Sequence, residues 1–286
     1  MIHLKIGGVP EHFNLPWRLC IEEGHFAKKN IYLEWQDHAG GTGSMTRALR
    51  EGQLDMAICL TEGIIADIAK GCQAKIVKIY VASPLTWGIY VSQSSDYKHI
   101  RELQYKKFAI SRYGSGSHLM AFVKAKELQW DIKNMDFVLL KNLEGIKEGL
   151  AKGMAEAFMW EKVMTQPFVD KGELRLIGEC VTPWSCFVLA VRNDILDTHS
   201  AAVQEICNTI NLYVKNFKKR PNIIELLAQR YQIDLEDTAH WLHQTTWAEN
   251  NQVNQEMIEL VQKTLLDLGI VESTKPYQEI VKTWEN

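Results

Sequence analysis

Apolar and polar positions along the chain fall into short blocks of alternating type. Leu4 to Gly7 reads as a strand, Trp17 to Ala27 as a helix, Ile31 to Gln36 as a strand and Ser44 to Glu51 as a helix. This alternation predicts a mainly parallel sheet with helices on its faces. The stretch Ala48 to Ile58 ends its helix at Gly52, which supplies a left-handed cap, and starts a buried strand at Met56. Gly149 to Met159 repeats that layout, with Gly153, an acid and an apolar strand in the same places. Upstream of each copy stands a strand, a Gly-rich turn and a helix, the turns being Gly40 to Ser44 and Gly114 to Ser117. Two copies of one α/β unit predict two lobes of the same build.

Lys75 to Val91 reads as two short strands broken at Ser83-Pro84, and Thr182 to Val191 as another strand. These are the expected crossings between lobes. The helical segments that follow are Ala201 to Lys218, Ile223 to Tyr231, Leu235 to Ala248, Asn254 to Leu268 and Tyr277 to Trp284. The expected fold is α/β and two-lobed, each lobe a mainly parallel sheet flanked by helices, with a two-strand hinge and a helical C-terminal tail. Lobe 1 is expected over 1–88 and 190–286, lobe 2 over 89–189, with the hinge near 83–91 and 182–191. Short turns at every boundary leave no room for a flexible linker.

Composition narrows the function. A net charge of −3 in 286 residues gives no basic surface for nucleic acid, and the run Lys218-Lys219-Arg220 suits a helix end facing water. No apolar run approaches the roughly 20 residues that span a bilayer. The six cysteines show no CxxC pair and lie in apolar stretches, so free thiols are expected. Met1 to Ile6 runs straight into a strand without a charged, then apolar, leader. A cytoplasmic, monomeric protein is the expectation. A secreted protein that had lost its leader would begin in the same way and would be periplasmic.

The run Leu19 to Glu34, which contains Glu23-Gly24-His25-Phe26-Ala27-Lys28, resembles a stretch of class II periplasmic binding proteins. With Gly40 to Ser44, Gly52 to Ala57 and Gly114 to Ser117, the chain resembles that family over most of residues 2–192, most of all its sulfonate-binding and thiamine-precursor-synthase-like branch, whose signal-less members are read as cytosolic. The resemblance implies a small-molecule ligand held between the lobes and closure upon it. It implies contacts from His12, Phe13, Asn14 and Trp17, from Gly41, Thr42, Gly43 and Ser44, from Thr61 and Glu62, and from Trp87. In the second lobe it implies Tyr113, Gly114, Ser115, Gly116, Ser117, His118, Trp160 and Glu161, with Trp184 at the hinge. An ABC permease or a regulatory protein is the implied partner.

A Gly-rich turn opening a helix offers backbone N–H groups and the positive end of the helix dipole to an anion. The hydroxyls of Thr42, Ser44, Ser115 and Ser117 add donors, although Ser44 and Ser117 suit helix capping equally well. Neither turn is a Walker loop or a GxGxxG fingerprint. Indoles suit a flat or cationic ligand; Glu62 and Glu161 suit a ring nitrogen or amino group; His12 and His118 suit donation to an anion. His240 and His243 have one-turn spacing but no further ligand set, so no metal is expected, and no cofactor.

The competing class is enzymatic. Fungal thiamine-pyrimidine synthases share the fold and use a Cys-rich motif, an active-site histidine and a pyridoxal phosphate lysine. This sequence lacks the Cys-Cys-Cys-Phe-Cys run and has Thr61-Glu62-Gly63-Ile64-Ile65 after the third strand, so a non-catalytic protein is expected. A cytosolic ligand sensor acting through a protein partner is the second alternative.

Overall fold

The first strand, β1 (Ile2–Gly8), is followed by α1 (Leu15–Glu22), β2 (Ile31–Asp37), α2 (Gly41–Arg50), β3 (Met56–Leu60), α3 (Thr61–Ala69) and β4 (Ala74–Val81). The computed structural model describes residues 1–284. After β4 the chain enters a second unit, Pro84–Pro183, and returns at Trp184 to the first, which also holds Met1–Ser83. The second unit contains β5 (Thr86–Ser92), β6 (Lys107–Ile110), α4 (Gly116–Glu127), β7 (Asp136–Leu139), α5 (Leu143–Ala151), β8 (Ala157–Glu161), α6 (Lys162–Asp170) and β9 (Leu174–Val181). Back in the first unit come β10 (Phe187–Arg192), α7 (Asn193–Phe217), α8 (Ile223–Tyr231), α9 (Leu235–Gln244), α10 (Gln255–Asp267) and α11 (Tyr277–Ile280).

The two sheets have one topology. The first is ordered β2-β1-β3-β10-β4 and the second β7-β6-β8-β5-β9. β1 pairs in parallel with β2 and β3, and β6 in parallel with β7 and β8. One strand in each sheet is antiparallel to both neighbours: β10 between β3 and β4, and β5 between β8 and β9. Each antiparallel strand is the first one laid down after the chain changes units. The duplicated Gly-acid-strand motif therefore corresponds to duplicated architecture, and Gly52 and Gly153 carry it with φ of +70° and +69°.

Burial explains the apolar runs. Val188 to Val191 of β10 are wholly buried, as are Met56 to Cys59 of β3, because both strands are central and covered on both faces. In the second unit Tyr90, Ala109, Ile146, Phe158 and Leu174 form the centre of one cluster. Gly88 is required there, since a side chain at that point would collide with the Tyr90 ring. In the first unit β4 contributes a buried lysine, Lys78, whose ammonium donates to Asn211 Oδ1 of α7 and to the Ala248 carbonyl at 3.3 Å. Burial pulls this lysine down to about 8.

Several boundaries differ from the sequence reading. Helix α1 stops at Glu22, because Gly24 turns the chain at φ +70°, and does not reach Ala27. Helix α2 starts at Gly41, three residues before Ser44, with Gly40 as its cap. Thr182 to Cys186 is not strand; β10 begins at Phe187. Helix α9 ends at Gln244, where the Thr245 hydroxyl turns back to the Trp241 carbonyl at 2.9 Å. The last helix ends at Ile280, because Val281 extends to bridge Ile76 of β4. The units change at Ser83-Pro84 and Pro183-Trp184, whereas the expected limits at 88/89 and 189/190 fall inside β5 and β10.

Candidate functional site

In the first unit the candidate residues gather at the C-terminal ends of the parallel strands, where α/β sheets leave helix starts facing one region. Gly41 takes φ +65°, a left-handed conformation suited to glycine, and its N–H donates to the His38 carbonyl at 3.0 Å. No side chain caps α2. Ser44, read from sequence as one possible cap, instead shares a hydrogen bond of 2.9 Å with His38 Nδ1. Burial holds His38 below its ordinary range, partly countered by the charge of Asp37. Thr42 is spent on the fold: its hydroxyl accepts from the Leu60 N–H at 3.0 Å and ties α2 to the end of β3. Gly63 lets α3 approach, since a Cβ there would lie 2.6 Å from the Thr42 methyl.

The end of β3 is bound to the returning chain. The Thr61 N–H donates to the Cys186 carbonyl at 3.0 Å and its hydroxyl to the Ser185 carbonyl at 2.5 Å. The Trp184 indole N–H donates to Glu62 Oε2 at 2.9 Å. Glu62 is only 2% exposed and its Oε1 has no partner. Burial pushes this carboxyl up to about 7, against the pull of the indole hydrogen bond.

The loop after β1 departs from its expected role. His12 is 0% exposed, its two ring nitrogens have no partner, and the ring packs against Phe13, Tyr231 and Trp241. Burial lowers it to about 3, so at neutral pH it is uncharged and unable to meet an anion as a cation. Phe13 is core too, its carbonyl accepting from Tyr80 and from Trp247. Asn14 donates to the Val9 carbonyl at 2.9 Å and helps shape the turn. Trp17 is 0% exposed, stacked on Phe26 at 5.9 Å, and belongs to the core rather than to a ligand surface.

Five residues of this region were not singled out from the sequence. Arg18 pairs with Asp37 and lies over the Trp35 ring at 5.0 Å, while the Trp35 indole donates to Asp37 at 3.0 Å. Gly8 lacks a side chain where the Trp35 ring passes. His38, the fifth, stands just before the Gly-rich turn, and that placement is the one signal that could have found it.

In the second unit the corresponding turn satisfies itself. Ser115 caps α4 by accepting from the His118 N–H at 3.4 Å. Its hydroxyl and that of Ser117 share a hydrogen bond of 2.9 Å, and Ser117 also accepts from the Ser111 N–H at 3.3 Å. The Gly114 N–H donates to His118 Nδ1 at 3.1 Å, which leaves the ring proton on Nε2. His118 packs against Tyr113, Phe122 and Phe137, and burial lowers it to about 4, so its expected donation to an anion comes down to a neutral N–H. The serine hydroxyls expected to serve a ligand are thus engaged within the turn. Gly116 opens α4, and Tyr113 beside it is 65% exposed.

Trp160 is half-buried at the end of β8, and Glu161 follows it. Glu161 caps α6 by accepting from the Met164 N–H at 2.7 Å, yet burial holds it up at about 7. Trp87 pairs with Glu161 across β5 and β8, and its buried indole N–H has no partner. All six cysteines are buried free thiols. Among the described residues no group of three or more His, Cys, Asp or Glu is placed to hold a metal, and no helix is long and apolar enough to cross a membrane.

Residues 87–180, nearly all of the second unit, match a family model described as Ca3427-like PBP. No curated protein matches the sequence. Among solved structures, the Candida albicans CA3427 gene product, described as defining a new family with the generic periplasmic binding protein fold, superposes with a TM-score of 0.90 at 26% identity, over 99% of this chain and 96% of that one. The alkanesulfonate-binding protein SsuA of Xanthomonas axonopodis pv. citri, bound to MOPS, gives 0.79 at 15% identity, over 95% and 94%. The aliphatic sulphonate binding protein SsuA of Escherichia coli gives 0.77 at 17%, over 98% and 97%. The two SsuA proteins are described as binding proteins. With its duplicated five-stranded sheets, each holding one antiparallel strand, this chain has the generic periplasmic-binding-protein fold, and residues 87–180 of its second unit match the Ca3427-like family model.

Proposed function

We propose that the protein is a solute-binding protein that takes one small molecule carrying an anionic group and a planar part, contacts it with both units and closes on it. The observation that carries this reading is the start of α2, a Gly-rich first turn with no side-chain cap, at the C-terminal ends of β1 and β3. Its N–H donors and dipole favour an anion there. The turn at α4 differs, because its hydroxyls are engaged with one another. Unit 2 therefore contributes faces, Tyr113 and Trp160, and the neutral His118 N–H. A ligand that touches both units stabilises only the state in which both reach it, which is what drives closure.

MOPS, the sulfonate held by the Xanthomonas protein, is the first probe. Titration should change intrinsic tryptophan fluorescence saturably and reduce the radius of gyration in small-angle scattering. Gly43→Val sets a branched side chain beside the first-turn donors of α2 and should weaken binding at least tenfold. Trp160→Ala should weaken it about threefold to tenfold, the value of one aromatic contact. Unchanged affinity in Gly43→Val, with the fold intact by circular dichroism, would remove the anion from this helix start.

A further inference from the structure

We propose that Glu62 makes the site of unit 1 selective for a ligand that carries a nitrogen N–H donor, which would complete the carboxyl oxygen left without a partner. The inference deepens the solute-binding reading and rests on it. Glu62 is the second residue of α3, directly beyond β3, the middle strand of its sheet. Its two oxygens have different surroundings. Oε2 is held by the Trp184 indole N–H at 2.9 Å, and the Thr61 hydroxyl and N–H fasten the same returning chain at Ser185 and Cys186. Oε1 has no partner although the residue is 2% exposed.

A buried acceptor without a donor is rare in folded proteins and points to a group that arrives from outside. Its chemistry follows from what surrounds it. Among the described residues no basic side chain contributes to the ionisation of Glu62; burial dominates and favours the protonated form. An amidinium or ring-nitrogen donor bound to Oε1 supplies the hydrogen bond and, when cationic, stabilises the carboxylate against that burial. An anion offers neither and is repelled once the proton leaves. The α2 turn stands next to this point, through the Thr42 to Leu60 bond and the close approach of Gly63 to Thr42. Anion and donor would then be read by neighbouring helix starts.

Benzamidinium and benzoate, matched in shape and opposite in hydrogen-bonding character, test the assignment by calorimetry at pH 8. The wild type should bind benzamidinium at least tenfold more tightly than benzoate. In Glu62→Gln the amide carbonyl can accept from Trp184 while its NH2 faces the ligand, so the preference should fall by at least tenfold. Trp184→Phe, which removes the indole donor and keeps the carboxyl, should retain the preference. Equal preference in wild type and Glu62→Gln, or tighter benzoate binding by the wild type, would overturn the proposal and leave Oε1 to a water molecule. MOPS binding without a benzamidinium preference defeats the Glu62 assignment alone. Failure of MOPS and both probes defeats the solute-binding reading and this inference with it.

Discussion

Glu62→Gln and Glu161→Gln should each stabilise the protein at pH 8 by about 3 kcal/mol and leave it unchanged near pH 4. Both carboxyls are held at about 7 by burial, against an ordinary value of 4.5. Below 4.5 each carries its proton whether the chain is folded or not, so no difference arises. As pH rises from there, the unfolded chain releases the proton first, and the stability contributed by the protonated form is lost progressively through about 7. An amide cannot ionise, so the variants escape that loss. It also keeps the acceptor oxygens that meet the Trp184 and Met164 N–H groups. Urea unfolding across pH 4 to 9 reads the effect as the gap between variant and wild type. Parallel curves at every pH would mean that the two carboxyls are solvated.

Trp17→Ala should cost about 3 to 5 kcal/mol of folding free energy, the range for removing a large buried aromatic side chain. The Trp17 ring sits between Phe26 at 5.9 Å and Tyr80 at 5.8 Å. The cavity would open between these two rings, where Trp17 is 0% exposed. Thermal or urea denaturation measures the loss, and MOPS affinity measured at a temperature where the variant is folded should change by less than threefold. A stable variant with abolished binding would return Trp17 to the site.

The contrast between the indoles shows what was legible in the sequence and what was not. Strand and helix alternation, the two Gly-acid-strand copies and the helical tail are periodic signals. Periodicity reports which face is buried, so the α/β class and the likeness of the two units could be anticipated from it, whereas the strand order and the antiparallel β5 and β10 could not. The candidate site was legible only as a set of helix starts, because Gly-rich turns mark them. It was not legible as chemistry. Whether Ser44 caps a helix, binds a ligand or pairs with His38 depends on a partner six residues away and on where the helix begins. Trp17, on α1, and Trp160, near the end of β8, are one residue type that packing separates: Phe26 and Tyr80 close over the first, while the second stays half-buried. Arg18, Trp35 and Asp37 escaped notice because the first stands on α1 and the other two on β2, a grouping made only when the chain folds.

The central claim is that this fold holds a small molecule, and native mass spectrometry of the gently purified protein tests it most directly. The account predicts a species heavier than the bare chain by one compound of defined mass, bound one per chain, released on denaturation and absent from Gly43→Val, where a branched side chain stands in the first turn of α2. A bare chain that acquires no mass from MOPS, benzamidinium or benzoate at millimolar concentration would contradict it.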